Sequence, residues 1–200
     1  MQLFMSPPSP FVRYTRATIR ELGLADAVEE VRVDTTPYTT PDALSAANPL
    51  GKIPVLVRDD GPALYDSRVI CRYLDAASGG RLFPESRIWE VLTLEATALG
   101  IAEAAVSMVY EGRLRPEEKQ HQPYLDAQWT KVARGLDAVG DRWMSHLAGP
   151  VDAAQIAMGC ALAYLDFRHP DRGWRDGRPA LAAWEAAFAE RPSMIETRPE

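Results

Sequence analysis

Asn48-Pro49-Leu50-Gly51-Lys52-Ile53-Pro54-Val55-Leu56 joins a turn to a strand, and the architecture of the chain can be worked out from it in both directions. Its first half is turn chemistry, Asn-Pro followed by Gly, and its second half is a short apolar run entered through proline. On the N-terminal side, Gln2 to Met5 reads as a short strand. Pro7-Pro8 ends it, because proline supplies no N–H to a ladder. From Pro10, Phe11, Thr15, Thr18 and Leu22 recur at helical spacing, and Gly23 marks the stop. Val28 to Val33 alternates apolar and charged residues, as a strand does. Thr35 to Pro41 is a polar loop, and Pro41 to Ala47 gives one or two helical turns. On the C-terminal side, Pro54 to Val57 is a strand, Asp59-Asp60-Gly61 a hairpin turn, and Ala63-Leu64-Tyr65 the partner strand. Asp66 or Ser67 then caps a helix with Val69, Ile70, Tyr73, Leu74 and Ala77 on one face. Residues 1–77 are expected to run β-α-β-α-β-β-α.

Ser78 to Pro84 is a linker by composition, so residues 78–86 separate the first domain from a second at 87–200. No strand pattern follows. Two long helical patterns occupy 87–112 and 117–147, broken around Arg115-Pro116. A third, Ala153 to Phe167, is apolar on several faces and belongs at a centre. Pro179 to Ala189 is the last helix, and the tail after it is expected to be loose. An α+β half precedes an all-α half.

Composition narrows the function classes. A net charge of −6 argues against nucleic acid, whose binders cluster positive charge. No apolar run approaches a membrane span, and no basic-then-apolar leader opens the chain. Cys71 and Cys160 lie far apart without CxxC spacing, which fits small core residues in a reducing, cytoplasmic setting. His121, His146 and His169 lack ligand spacing, so no metal is expected, and no phosphate loop or nucleophile elbow is present.

Ser9-Pro10-Phe11 after the first strand, Asn48 to Pro54 before the third, and Asp66-Ser67 before the next helix resemble the motifs of bacterial glutathione S-transferases. All three stand in order and register, and the helical second half extends the resemblance over the whole chain. It implies a thioredoxin-like N-terminal domain, an all-helical bundle, glutathione as co-substrate, and a homodimer.

Residue by residue, the resemblance places Ser9 at the glutathione sulfur. Read alone, Ser9-Pro10 is a helix N-cap followed by proline at the first helical position. The physics accommodates the larger role. A thiol titrates near pH 8.5, and lowering that by roughly two units needs about 2.7 kcal/mol of preference for the anion. A hydroxyl donating to a charged acceptor supplies about 1.5–3 kcal/mol, and a helix N-terminus about 0.3–1 more. Ser6, at the end of the first strand, is the rival hydroxyl.

The resemblance also implies a cis Ile53-Pro54 bond whose Ile53 main chain pairs with the cysteinyl backbone of glutathione, whereas a lone Ile-Pro reads as a strand start. Asp66 would take the γ-glutamyl ammonium, and Ser67 with helix N–H groups its carboxylate. The plain reading of that pair is a helix cap. Lys52 would approach the glycyl carboxylate. Asp152 to Gln155 resembles the family's capping box, a folding element, and Asp166 and Arg168 read as structural.

The leading functional reading is glutathione transfer to a small, mostly apolar electrophile, with Phe11, Val106, Ser107 and Tyr110 around the second substrate. The absence of Cys at position 9 disfavours mixed-disulfide chemistry. Pro10 after Ser9 disfavours a glutathione-dependent isomerase of the maleylacetoacetate type, whose loop pairs Ser with Cys. A non-enzymatic scaffold and a glutathione-binding storage protein are the alternatives from other classes.

Overall fold

β1 (Gln2–Met5) sits between β2 (Glu29–Arg32) and β3 (Val55–Val57) in the sheet of the computed structural model, which describes residues 1–199. It runs parallel to β2 and antiparallel to β3, with Phe4 opposite Val31 on one side and Val55 on the other. Its Leu3 and Met5 face the core, as a period of two requires. By mutual contacts the chain forms two units, Met1–Ser86 with the stretch from Pro192, and Arg87–Arg191.

In the first unit, α1 (Pro10–Glu21) and α3 (Ser67–Ala77) pack against the sheet, while α2 (Asp42–Ala47) precedes β3. Leu3, Val12, Ile19, Leu56, Ile70 and Leu74 form the core, each at most 1% exposed. Burying each such side chain stabilises the fold by about 1.5–3 kcal/mol. Gly23 ends α1 at φ 70°, a left-handed conformation that glycine adopts without a Cβ penalty.

The fourth strand expected at Ala63 to Tyr65 is reduced to one bridge. Leu56 and Leu64 pair, and no ladder extends from them. The next hydrogen-bonded pairs of that register would be Arg58 with Pro62 and Pro54 with Asp66, and each contains a proline without an N–H. The Arg58 side chain takes the Pro62 carbonyl instead, at 3.1 Å.

The tail also departs from expectation. α9 (Pro192–Ile195) docks on α1. Arg13 Nη2 donates to the Met194 carbonyl at 3.0 Å, Ser193 Oγ to Glu21 at 2.6 Å, and Arg20 pairs with Glu196 at 3.1 Å. Met194 and Thr197 are buried. A four-residue helix is too short to show a period, and its partners lie at the other end of the chain.

In the second unit, α4 (Ile88–Leu114) packs on α5 (Gln122–Arg142) and α7 (Ala153–Arg168). The short α6 (Met144–Leu147) and α8 (Pro179–Ala189) complete it. Every residue from Ala153 to Leu162 is buried, so α7 is the central helix that its composition indicated. Asp152 caps α7 in a full capping box with Gln155. The same carboxylate, 1% exposed, lies 2.7 Å from His146 Nε2 and 3.5 Å from Arg87 Nη2. Helix α4 is more apolar than the sequence reading allowed, reaching a mean hydropathy of 1.4 over 18 residues, enough by length and composition to span a membrane. It is instead packed along its length, with 56% of that window buried.

Candidate functional site

Strand register brings the three motifs to one end of the sheet. Phe4 pairs with Val55, so Pro54, the residue just before β3, comes beside Met5, where β1 gives way to the Ser6–Ser9 turn. Leu56 pairs with Leu64, so Pro54 also stands opposite Asp66 on its other side. Neighbouring extended segments lie about 4.8 Å apart, so the row from Met5 through Pro54 to Asp66 spans roughly 10 Å. That is the scale of a short peptide.

The Ser6–Ser9 turn closes through Ser9 N–H to the Ser6 carbonyl at 3.1 Å. Ser9 is the N-cap of α1, with Pro10 at the first helical position. Its Oγ accepts from Val12 N–H at 3.3 Å, so its proton remains available to donate outward. Pro10 has no N–H, Val12 uses its own on Ser9, and Arg13 N–H takes the Ser9 carbonyl at 2.9 Å. The Phe11 amide is therefore the one left open in this first turn among the described residues. Ser6 and Ser9 are both half-buried.

The Ile53-Pro54 peptide is cis, the isomer the resemblance implied. Among the described residues, no hydrogen bond engages Ile53 N–H or C=O. The loop before it is fastened by Asn48, which the sequence reading quoted without a role. Asn48 Nδ2 donates to the Lys52 carbonyl at 2.8 Å, and its Oδ1 accepts from Leu50 N–H at 3.0 Å. Asn48 is 2% exposed, so water does not compete for these bonds. Gly51 has φ 63°, and a Cβ there would meet Thr40 Oγ1 at 2.6 Å. The Asn-Pro turn signal carried this information, since an Asn side chain bonding two residues ahead is what organises such turns. Lys52 itself is exposed.

Asp66 is the N-cap of α3, accepting Arg68 N–H on Oδ1 at 3.0 Å, and the Tyr65-Asp66 peptide is also cis. Ser67 occupies the first helical position and is 2% exposed. With Arg68 N–H taken by Asp66, the Ser67 and Val69 amides of the first turn remain for an anion.

The remaining residues read from sequence are distributed between the units. Phe11, half-buried, belongs to the first. Val106, Ser107 and Tyr110 lie on α4 in the second, where Ser107 Oγ donates to the Glu103 carbonyl at 2.8 Å and Tyr110 is 45% exposed. Cys71 and Cys160 are buried. Asp166 holds Trp174 Nε1 at 2.8 Å and Arg175 Nη2 at 2.8 Å, a structural role.

Both parts of the chain match known proteins. Residues 8–77 match the family model described as glutathione S-transferase, N-terminal domain, and residues 122–187 the corresponding C-terminal domain. An uncharacterised GST-like protein of Escherichia coli, YibF, is 32% identical over 100% of this chain and 98% of its own length. A glutathione transferase family member from Pseudomonas fluorescens Pf-5, solved with bound glutathione, superposes with TM-score 0.97 at 44% identity, covering 100% of this chain and 98% of that one. A second structure described as that family member, with bound S-(propanoic acid)-glutathione, gives 0.92 at 43% identity over 100% of both chains.

Proposed function

The chain belongs to the glutathione S-transferase family, and from that membership we propose that it is a glutathione transferase, holding glutathione as a thiolate against Ser9 and joining it to a small electrophile. The observation that carries this reading is the single row across the sheet end formed by the Ser6–Ser9 turn, Pro54 and Asp66. Each role follows from what a residue has free. The Ser9 hydroxyl proton points its hydrogen bond at the sulfur, and the positive end of α1 with the Phe11 amide adds to it. Because Ser9 Oγ already accepts from Val12, its O–H is polarised toward donation. Ile53 N–H and C=O pair with the cysteinyl main chain. The γ-glutamyl carboxylate sits on Ser67 and the amides of α3, its ammonium on Asp66, and Lys52 serves the glycyl carboxylate.

The reaction needs no further group. The sulfur lone pair forms a bond to the electrophilic carbon as the leaving group departs with its electron pair, or as a carbon–carbon π bond opens and the adjacent carbon takes a proton from water. Either route yields a thioether, the bond type in the S-(propanoic acid)-glutathione bound by the Pseudomonas relative. The same reading makes the protein a homodimer, checked by light scattering for a species of about twice the 22.1 kDa chain mass.

Calorimetric titration with glutathione tests the binding site. Wild type should bind at millimolar concentrations or below, and Asp66→Ala and Ser67→Ala should each weaken binding about tenfold, since each removes one charge-assisted contact. No binding by wild type would replace the transferase with a scaffold that keeps only the shape of the fold.

A further inference from the structure

The helix that Ser9 caps carries a buried cation one turn in. Arg13 N–H closes the first turn of α1 on the Ser9 carbonyl at 2.9 Å, so the two residues stand at i and i+4 on one face. Arg13 is only 5% exposed. A guanidinium is always charged, and a buried one is ordinarily met by a carboxylate. Arg13 has none. Its Nη2 donates to the Met194 carbonyl at 3.0 Å, and its Nε and Nη1 are buried without a hydrogen-bond partner.

The acids on the elements packed against α1 are committed to other groups. Glu196, just past α9, pairs with Arg20, and Glu30 of β2 pairs with both Arg16 and Arg20. On α3, Asp75 accepts from the amides of Arg81, Leu82 and Phe83, and the cap Asp66 from that of Arg68. The Cys71 thiol of the same helix lies 3.9 Å from Thr15 Oγ1, and Arg72 is turned out over the Phe83 ring. Arg13 is therefore the one cation of α1 whose charge no acid offsets among the described residues. The docked tail gives it a neutral carbonyl, which orients the group without cancelling its charge.

We propose that Arg13 is a positioning residue of the thiol site: its charge, held in place by the tail, favours the sulfur anion of glutathione at Ser9 without touching it. Four residues rise about 6 Å along a helix, and the Arg13 side chain leans toward the N-terminus, so its charge lies within about 10 Å of a sulfur at Ser9. Over that distance an effective dielectric of about 20–40 lowers a thiol by roughly half a unit to one unit. The thiolate in turn supplies the opposite charge that Arg13 otherwise lacks. The inference rests on the transferase reading above and adds to it a residue beyond Ser9 and a task for the C-terminal tail.

Ultraviolet difference absorbance against pH, on glutathione bound to wild type, Arg13→Gln and Arg13→Lys, tests it. Arg13→Gln keeps a donor for the Met194 carbonyl and removes the charge. Its bound thiol should titrate about half a unit or more above that of wild type, which is at least about threefold less thiolate below the midpoint. Arg13→Lys should stay near wild type. Affinity for S-methylglutathione, which has no thiol to ionise, should be unchanged in both variants, an outcome that a merely structural role would not give. Where Arg13→Gln does not fold, Arg13→Met, uncharged and of similar length, reads the same shift. A bound thiol that titrates unchanged in the uncharged variant overturns the proposal. So does a shift as large in Arg13→Lys, or a loss of S-methylglutathione affinity equal to the loss for glutathione. If wild type lowers the thiol of bound glutathione and the uncharged variant leaves it lowered, only this inference falls. If wild type binds no glutathione, the transferase reading falls and takes it along.

Discussion

Leu56 and Leu64 exchange both main-chain hydrogen bonds, at 3.0 and 2.9 Å, and form the one cross-strand pair of their two segments among the described residues. That pair sets Asp66 opposite Pro54, while the β1–β3 register sets Pro54 beside Met5. Prolines at 54 and 62 stop the ladder on both sides of it. The main chain around the site is therefore fixed in register yet has few internal partners, as a surface that pairs with a bound peptide requires.

Asn48 is a positioning residue for that surface. Asn48→Ala removes two buried hydrogen bonds, to the Lys52 carbonyl and from the Leu50 amide, and should cost about 2 kcal/mol in denaturant unfolding. Because Lys52 precedes Ile53, glutathione affinity should fall about tenfold in calorimetry on the still-folded variant. A destabilised variant that keeps wild-type affinity limits Asn48 to folding.

The docked tail makes a second prediction. Ending the chain at Arg191 uncovers the face of α1 on which the tail docks, removes buried Met194, and takes the Met194 carbonyl from buried Arg13, whose Nε and Nη1 already lack partners. Unfolding free energy should drop by about 3 kcal/mol or more. Protease should then cut within the first unit before the second. An unchanged melting temperature would return the tail to the loose segment that its sequence suggested.

Glu30 gives a pH dependence with a definite sign. Burial by itself would raise its carboxyl, but hydrogen bonds from Arg16 and Arg20, both at 2.8 Å, outweigh that and hold it below the ordinary value of 4.5. With the folded value depressed, the stabilisation is fully present above the unfolded value and is lost as pH falls through the folded one. Unfolding free energy should decline below about pH 4.5, and Glu30→Gln should flatten that slope. An identical slope in the variant would assign the acid sensitivity to other carboxylates.

What could be read from sequence was local chemistry. Ser9-Pro10, Asp66-Ser67 and Asp152 with Gln155 each state a helix start within four residues, and each is a helix start in the structure, Asp66 the cap and Ser67 the position after it. The apolar faces of α3 and α7 were equally legible. Distance in sequence hid the rest. The tail's partners, Arg13, Arg20 and Glu21, lie at the opposite end of the chain, and no periodicity links them. The truncated fourth strand was readable in principle, since Pro54 and Pro62 fall on hydrogen-bonded positions of a hairpin centred on Asp60.

The proposed mechanism stands on Ser9 holding the sulfur of glutathione as a thiolate. Ultraviolet difference absorbance of bound glutathione against pH reads that state, in wild type, Ser9→Ala and Ser6→Ala. The thiol should titrate roughly two units below its ordinary 8.5 in wild type and Ser6→Ala, and return most of the way in Ser9→Ala. Bound glutathione whose thiolate persists unchanged in Ser9→Ala would contradict the mechanism and hand the sulfur to Ser6 or to the Phe11 amide.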